Sequence, residues 1–205
     1  AMRENIDKLS KAQQLDLINE IDIATTRLNR QFSNILNMSR LSSELLKPQM
    51  DWCDMNELVN ETIFKIHLPY SQTIIFKPSD HLPLFKIDIG FMELILINLI
   101  INALLYTHDE SKIQIEVEDD DAHCILRISD NGPGISESEF KNIFNKFYRG
   151  TGARAGGSGL GLSIVKGYTE ALNGTVVVEK NNPSGLIFTV KIPCETTYIN
   201  QLKHE

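Results

Sequence analysis

Apolar residues recur at three- and four-residue steps through Leu17, Ile21, Ala24, Leu28, Ile35, Met38, Leu41 and Leu45, in a stretch (5–47) without Pro or Gly. This spacing predicts one or two amphipathic helices, with Asp16, Glu20, Arg27, Arg30 and Arg40 on the other faces. One helix cannot bury such a stripe alone, so it calls for a partner from this chain or from a second copy. Pro48 marks the stop. A short strand at 51–54 and a helix from Met55 to His67 follow. Strands are predicted at Thr73–Lys77 and Leu84–Ile87, separated by the turn-rich PSDHLP.

From Phe91 to Tyr106 the chain is almost continuously apolar, broken by Asn98 and Asn102. A helix capped by Asp88 and ending near Thr107 puts both amides on one face. An unpartnered amide in an apolar setting costs about 1–3 kcal/mol, so something must meet that face. Two readings stand: a hydrogen-bonded Asn pair in a core, or a pocket where amide oxygens meet a hard cation or a water. The stretch alone favours the first. A membrane span needs about 20 predominantly apolar residues. This run is shorter and carries Glu93.

Lys112–Glu118 and His123–Ser129 alternate like a hairpin around Asp119-Asp120-Asp121. Beyond it are the loop DNGPGI, a short helix around Phe140–Phe147 and a Gly-rich segment from Gly150 to Gly161. A helix from Leu162 to Leu172 stops at Gly174 in a C′-type signal. Two strands, Thr175–Lys180 and Leu186–Ile192, close the pattern. The order of elements predicts an α+β fold with helices packed on one face of a mixed sheet.

The 205 residues fit one ordinary domain plus an appendage, or two small ones. A composition of 42% hydrophobic and 23% charged residues is that of a globular core-forming protein. The net charge of −7 argues against a general nucleic-acid binder. Cys53, Cys124 and Cys194 are odd in number and fit neither a metal spacing nor a disulfide framework, which points to a reducing interior. Ala1-Met2 reads as a cloning remnant, so the chain is expected to be a piece of something longer.

Three segments carry candidate chemistry. In Asp130-Asn131-Gly132-Pro133-Gly134-Ile135 the glycines allow a ligand to approach the backbone, and Asp130 at a strand end is placed to accept from an exocyclic amine. Gly156-Gly157-Ser158-Gly159-Leu160-Gly161 leads straight into a helix, an anion site suited to phosphates. It lacks the G-K-[ST] ending of a Walker A loop and follows no βαβ strand, and alone it reads equally as a linker. Between them, Phe144 and Phe147 lie three apart and anchor the short helix to the core. Lys146 and Arg149 stand at the base of the Gly-rich segment, either as cations for phosphate oxygens or as a solvated charged face.

Taken in order, an Asn-x3-Asn-Ala helix, DNGPGI, a Phe-x2-Phe segment and GGSGLGLSIV strongly resemble the N, G1, F and G2 boxes of the ATP-binding catalytic domain of bacterial sensor histidine kinases. The resemblance covers about 51–193. It implies a two-layer α/β sandwich of the Bergerat type, with ATP between helices and sheet, preceded by a long N-terminal helix. The fold is shared with gyrase, a heat-shock chaperone family and the mismatch-repair ATPases. The implied domains are 1–48, the second helix of a dimerisation hairpin; 49–194, the ATP-binding domain; and 195–205, a tail.

Carried over position by position, Asn102 resembles the Mg²⁺-binding amide, and Asn98 stands where gyrase-like ATPases hold a water-activating Glu. Tyr106 resembles the aromatic beside adenine, and Asp130 the carboxylate that reads it, with Gly132 and Gly134 shaping its loop. Gly157, Gly159 and Gly161 would free N–H groups for phosphates, while Ile135, Phe147, Ser158 and Leu160 belong to the same nucleotide-binding boxes. Residues 148–158 would form a mobile lid. The implied ligands are ATP and Mg²⁺. The implied partners are a response regulator and a second copy joined through the N-terminal helix, with no nucleic acid. A membrane is implied only through a missing part of a membrane-anchored parent, in which this domain is cytoplasmic.

Two departures matter. The family usually places Lys or Arg where Leu105 stands. Lys146, Arg149, Arg154 and His108 are the cations left to replace it. The family's acceptor is a His followed by an acid and, four residues on, a Pro. None of His67, His81, His108, His123 or His204 has that context, so the acceptor is expected to lie upstream. The alternatives are a non-catalytic nucleotide-binding or scaffold module of the same fold, and a serine kinase of the anti-sigma-factor kind.

Overall fold

A computed structural model describes residues 9–43, 46–66, 70–150 and 157–198. Ala1, Met2, Leu45, His67, Arg154, Gly156, His204, the lid positions 151–156 and the tail beyond 198 lie outside the described residues.

The predicted N-terminal helix is α1 (Lys11–Ser42). It starts at Ser10, whose hydroxyl accepts from the Gln13 N–H while the Gln13 amide accepts from the Ser10 N–H, a reciprocal capping box. Then come β1 (Asp51–Cys53) and α2 (Met55–Lys65), whose N-cap Asp54 accepts from the N–H groups of Asn56 and Glu57. β2 (Thr73–Phe76) and β3 (Leu84–Ile87) precede α3 (Ile89–Tyr106), capped by Asp88 as expected. The hairpin β4 (Lys112–Asp119) and β5 (His123–Asp130) leads to α4 (Gly161–Ala171), and β6 (Thr175–Lys180), β7 (Leu186–Pro193) and β8 (Thr196–Thr197) end the order.

A five-stranded sheet runs β2-β4-β5-β7-β6; β2 pairs parallel with β4 and the other pairs are antiparallel, so the sheet is mixed. One face is apolar. In β4, Ile113, Ile115 and Val117 are buried while Lys112, Gln114 and Glu116 are exposed, and Leu186, Phe188, Val190 and Ile192 of β7 point the same way. α3 and α4 pack side by side over that face. By length and composition α3 is apolar enough to cross a membrane, yet it serves as the core helix, burying Met92, Ile95, Leu96, Leu99, Ile100, Ala103 and Leu104.

The structure adds detail to two expectations, the sheet and the α1 stripe, and corrects two others. The single mixed sheet is joined by a small second one, β1-β3-β8, because the two-residue β8 is too short to leave a pattern. No helix forms at Phe140–Phe147, where the chain runs as successive turns. Helix α4 ends with Asn173, not Gly174, in the left-handed region (φ 57°); Gly174 is required by space, since a Cβ there would lie 2.6 Å from the Lys191 carbonyl oxygen. The apolar stripe of α1 is divided between the domain and solvent. Its Met38 and Leu41, with Asn37, meet α4, whereas Leu28, Phe32 and Ile35 stay at 65%, 62% and 58% exposure.

Candidate functional site

Helix α3 carries Asn98 and Asn102 on one face, as its periodicity requires. The Asn98 amide N–H donates to the Leu94 carbonyl at 2.8 Å. Its oxygen is turned toward the start of α4, where a Cβ on Gly161 would come within 3.3 Å of it.

β5 ends at Asp130, which is 7% exposed. Its Oδ1 accepts the Gly132 N–H at 2.8 Å, and the Leu186 N–H also donates to the carboxylate. Burial is the dominant influence and raises its pKa above the ordinary carboxyl value; the two N–H donors oppose this but do not cancel it. The loop is pinned from both sides. Asn131 Oδ1 accepts the Lys112 N–H at 2.8 Å, and Asn181 Nδ2 donates to the Asp130 carbonyl at 2.8 Å. Gly132 lets the loop lie against α3's end: a Cβ there would sit 2.8 Å from Thr107 Cγ2.

Gly159 is left-handed (φ 68°), and a Cβ on it would lie 2.7 Å from the Phe147 carbonyl carbon. The backbone turns here so that the Phe147 N–H can donate to the Gly159 carbonyl at 2.9 Å. Leu160 is the N-cap of α4 and offers no side-chain acceptor. The first N–H groups of α4 therefore point outward without a capping side chain, carrying the positive end of the helix dipole, a ready anion site.

These pieces meet in one cavity of about 320 Å³. Of the sequence-predicted residues, Asn98, Asn102, Tyr106, Asp130, Gly134, Ile135, Arg149, Gly157, Ser158, Gly159 and Gly161 line it. Gly132 and Leu160 are buried behind the wall. Lys146 is exposed and does not line the cavity, because the turns at 140–147 aim it outward. Phe147 is a second correction. With its backbone left-handed (φ 63°) its ring is 71% exposed and anchors nothing, and only its N–H holds the Gly-rich segment. Phe144 alone packs inward, edge-on to Phe188 at 6.4 Å.

Several cavity residues escaped the sequence reading. Glu139, 8% exposed, accepts from the Ser136 N–H (2.9 Å) and hydroxyl (2.7 Å), fixing the turn that follows the Asp130 loop. The spacing Ser136-x-x-Glu139 was its available signal. Arg30, Gln31 and Asn34 of α1 also line the cavity, and nothing local marks them. Leu105, as an apolar side chain, and His108 also line it. Among the described residues no three or more His, Cys, Asp or Glu side chains are grouped to hold a metal.

The family model for histidine kinase-, DNA gyrase B- and HSP90-like ATPases matches residues 87–196, more than half of the chain. The chain belongs to this ATPase family. Its matched segment contains every element of the cavity except the contribution of α1. Sensor protein CiaH of Streptococcus pneumoniae is 46% identical over 98 residues, which is 46% of this chain and 22% of CiaH. Sensor protein KdpD of Escherichia coli is 30% identical over 186 residues, covering 90% of this chain and 20% of KdpD. The chain thus spans about a fifth of the length of these relatives. Among solved structures, histidine kinase ThkA in complex with response regulator protein TrrA matches with a TM-score of 0.64 at 24% identity, over 94% of this chain and 55% of ThkA. That likeness is one of fold, and it extends over α1.

Proposed function

We propose that the chain is the ATP-binding part of a sensor histidine kinase whose parent transfers the γ-phosphoryl group of Mg-ATP to one of its own histidines, from which a response-regulator Asp takes it. The reading rests on one observation. A buried carboxylate, two α3 amides and the uncapped N-terminus of α4 converge on a single cavity in a chain of this ATPase family. The ATP-binding domain is assigned to 49–194 and the half-hairpin to 1–48.

In this reading Asp130 accepts from the adenine amine, with Gly132, Gly134 and Ile135 shaping the base pocket and Tyr106 flanking it. The N–H groups of Gly157–Gly161 and the start of α4 hold the phosphates, with Arg149 as a cation beside them. Phosphoryl transfer needs little covalent help, so positioning and charge neutralisation do most of the work. Asn98 is an amide and cannot act as general base, which spares ATP from hydrolysis until an acceptor arrives.

A carboxylate cage is not what the described residues offer, but Mg²⁺ bound to nucleotide keeps waters and phosphate oxygens as ligands, and one amide oxygen suffices. Asn102 is the residue that fits. When bound, the ion neutralises charge on the transferring phosphoryl group. The sensor names of the relatives, and the response regulator in the ThkA structure, support the same class of partner here. We assign the domain to the cytoplasmic side of a membrane-anchored bacterial protein.

The test is transfer in trans: this chain, labelled ATP and a separately supplied hairpin bearing the parent's acceptor histidine. Acid-labile, base-stable label on that histidine, lost in Asn102→Ala, is the expected result. A chain that binds ATP but never labels the acceptor supports a second reading, a non-catalytic nucleotide-binding module. The apolar Leu105 in the cavity wall is the observation that favours it.

A further inference from the structure

The cavity is not built by the ATPase fold alone. Arg30, Gln31 and Asn34 of α1 line it together with Asn98 and Asn102. Register explains how. Leu41 lies against Gly167, where a Cβ would come 2.8 Å from its Cδ1, and Met38 meets Ser163 one turn earlier on both helices (Oγ to Sδ, 3.6 Å). The two helices therefore run in the same direction. Helix α4 begins at Gly161, just before Ser163, whereas α1 continues backward from Met38 for many turns. Eight residues back from Met38, a rise of about 12 Å, Arg30 stands beyond the start of α4. That is the space into which the uncapped N–H groups point.

Arg30 is also held there. It is partly buried, and its guanidinium hydrogen-bonds the Tyr70 phenol. Among the described residues, the side chains lining the cavity that are or can become cations are Arg30, His108 and Arg149. Leu105, on the α3 face that carries Asn98 and Asn102, supplies none.

We propose that Arg30 is a phosphate-binding residue: α1 supplies a guanidinium to the polyphosphate of ATP, so the nucleotide site is completed across the junction between α1 and the ATPase fold. This rests on the reading of the cavity as an ATP site. A planar fork of N–H donors suits phosphate oxygens, and part of it remains for them beside the Tyr70 bond. The consequence is reciprocal coupling. ATP holds α1 against α4, and a docked α1 tightens ATP. The rest of the contact suits a reversible junction, since it is partly polar: the Tyr168 hydroxyl donates to Asn37 Oδ1 at 3.2 Å.

The experiment is calorimetric titration of Mg-ATP and of adenosine into the whole chain, as wild type, Arg30→Gln, Arg30→Lys and Asp130→Ala. Arg30→Gln is expected to weaken ATP about tenfold or more, the size of one charge-assisted hydrogen bond, and to leave adenosine unchanged. Arg30→Lys should fall between. Equal loss for ATP and adenosine would make Arg30 a packing residue and overturn the proposal. So would an unchanged ATP affinity in Arg30→Gln while Asp130→Ala abolishes binding, and in that case the ATP site itself would stand. A wild type that binds neither ligand would instead remove the ATP reading and this inference with it.

Discussion

Asp130 is a buried acid whose only stabilising contacts in the described fold are two backbone N–H donors and the loop they shape. Its raised pKa has a direct consequence for stability. Because the unfolded carboxyl ionises first as pH rises past about 3.9, the folded state holds the extra proton in the window above that value, and stability falls with pH there. The penalty grows until pH has passed the raised folded-state value. Asp130→Asn keeps an oxygen for the Gly132 N–H and removes the buried charge. It should melt at a higher temperature than wild type near pH 7, with the gap closing as pH falls below the ordinary carboxyl range. Thermal unfolding across pH checks this, and a lower melting temperature for the variant at pH 7 would contradict it. The role of Asp130 was open to sequence reasoning because strand end, Asp and two glycines are adjacent in the chain. That of Arg30 was not: its neighbours in the cavity from outside α1 are about 70 residues or more away.

Among elements, α3 depends on the same kind of local signal, and Asp88 concentrates it. Asp88 Oδ1 accepts the Phe91 N–H at 2.9 Å, and Oδ2 accepts the Gln49 N–H at 2.6 Å, so one side chain caps α3 and ties down the segment leaving α1. Asp88→Ala should cost about 1–2 kcal/mol of unfolding free energy, a lost cap plus an orphaned N–H. Urea unfolding measures it, and a change within a few tenths would mean that water replaces both bonds. The start, the apolar run and the end of α3 were readable because each is encoded within a few residues. Phe140–Phe147 was misread because Phe144 and Phe147 have helical spacing, but the chain there follows its turns and reaches a left-handed residue at Phe147. Spacing reports a helix only when the backbone between is free to form one.

At the scale of the molecule, α1 presents two faces with different duties. Its stripe was legible as unpaired apolar surface. Which face docks on α4 was not, because Asn34 and Asn37 look like solvent-facing residues until Tyr168 and the cavity wall meet them. The exposed side, Ile18, Ile21, Leu28, Phe32 and Ile35, recurs near a 3.5-residue period and suits a second copy of the same helix. Light scattering at micromolar concentration should find dimers or larger species, and Leu28→Glu with Phe32→Glu should shift them toward monomer; a strictly monomeric wild type would contradict this. The binding roles given to Asn102, Asp130 and Arg30 presuppose that the cavity holds nucleotide. The most direct measurement is calorimetric titration of Mg-ATP, or a non-hydrolysable analogue, with Asn102→Ala and Asp130→Ala alongside. Binding between micromolar and sub-millimolar strength, lost in both variants, is the predicted result. A folded wild type with no detectable heat of binding would contradict it, and Leu105→Lys would then be the variant to titrate next.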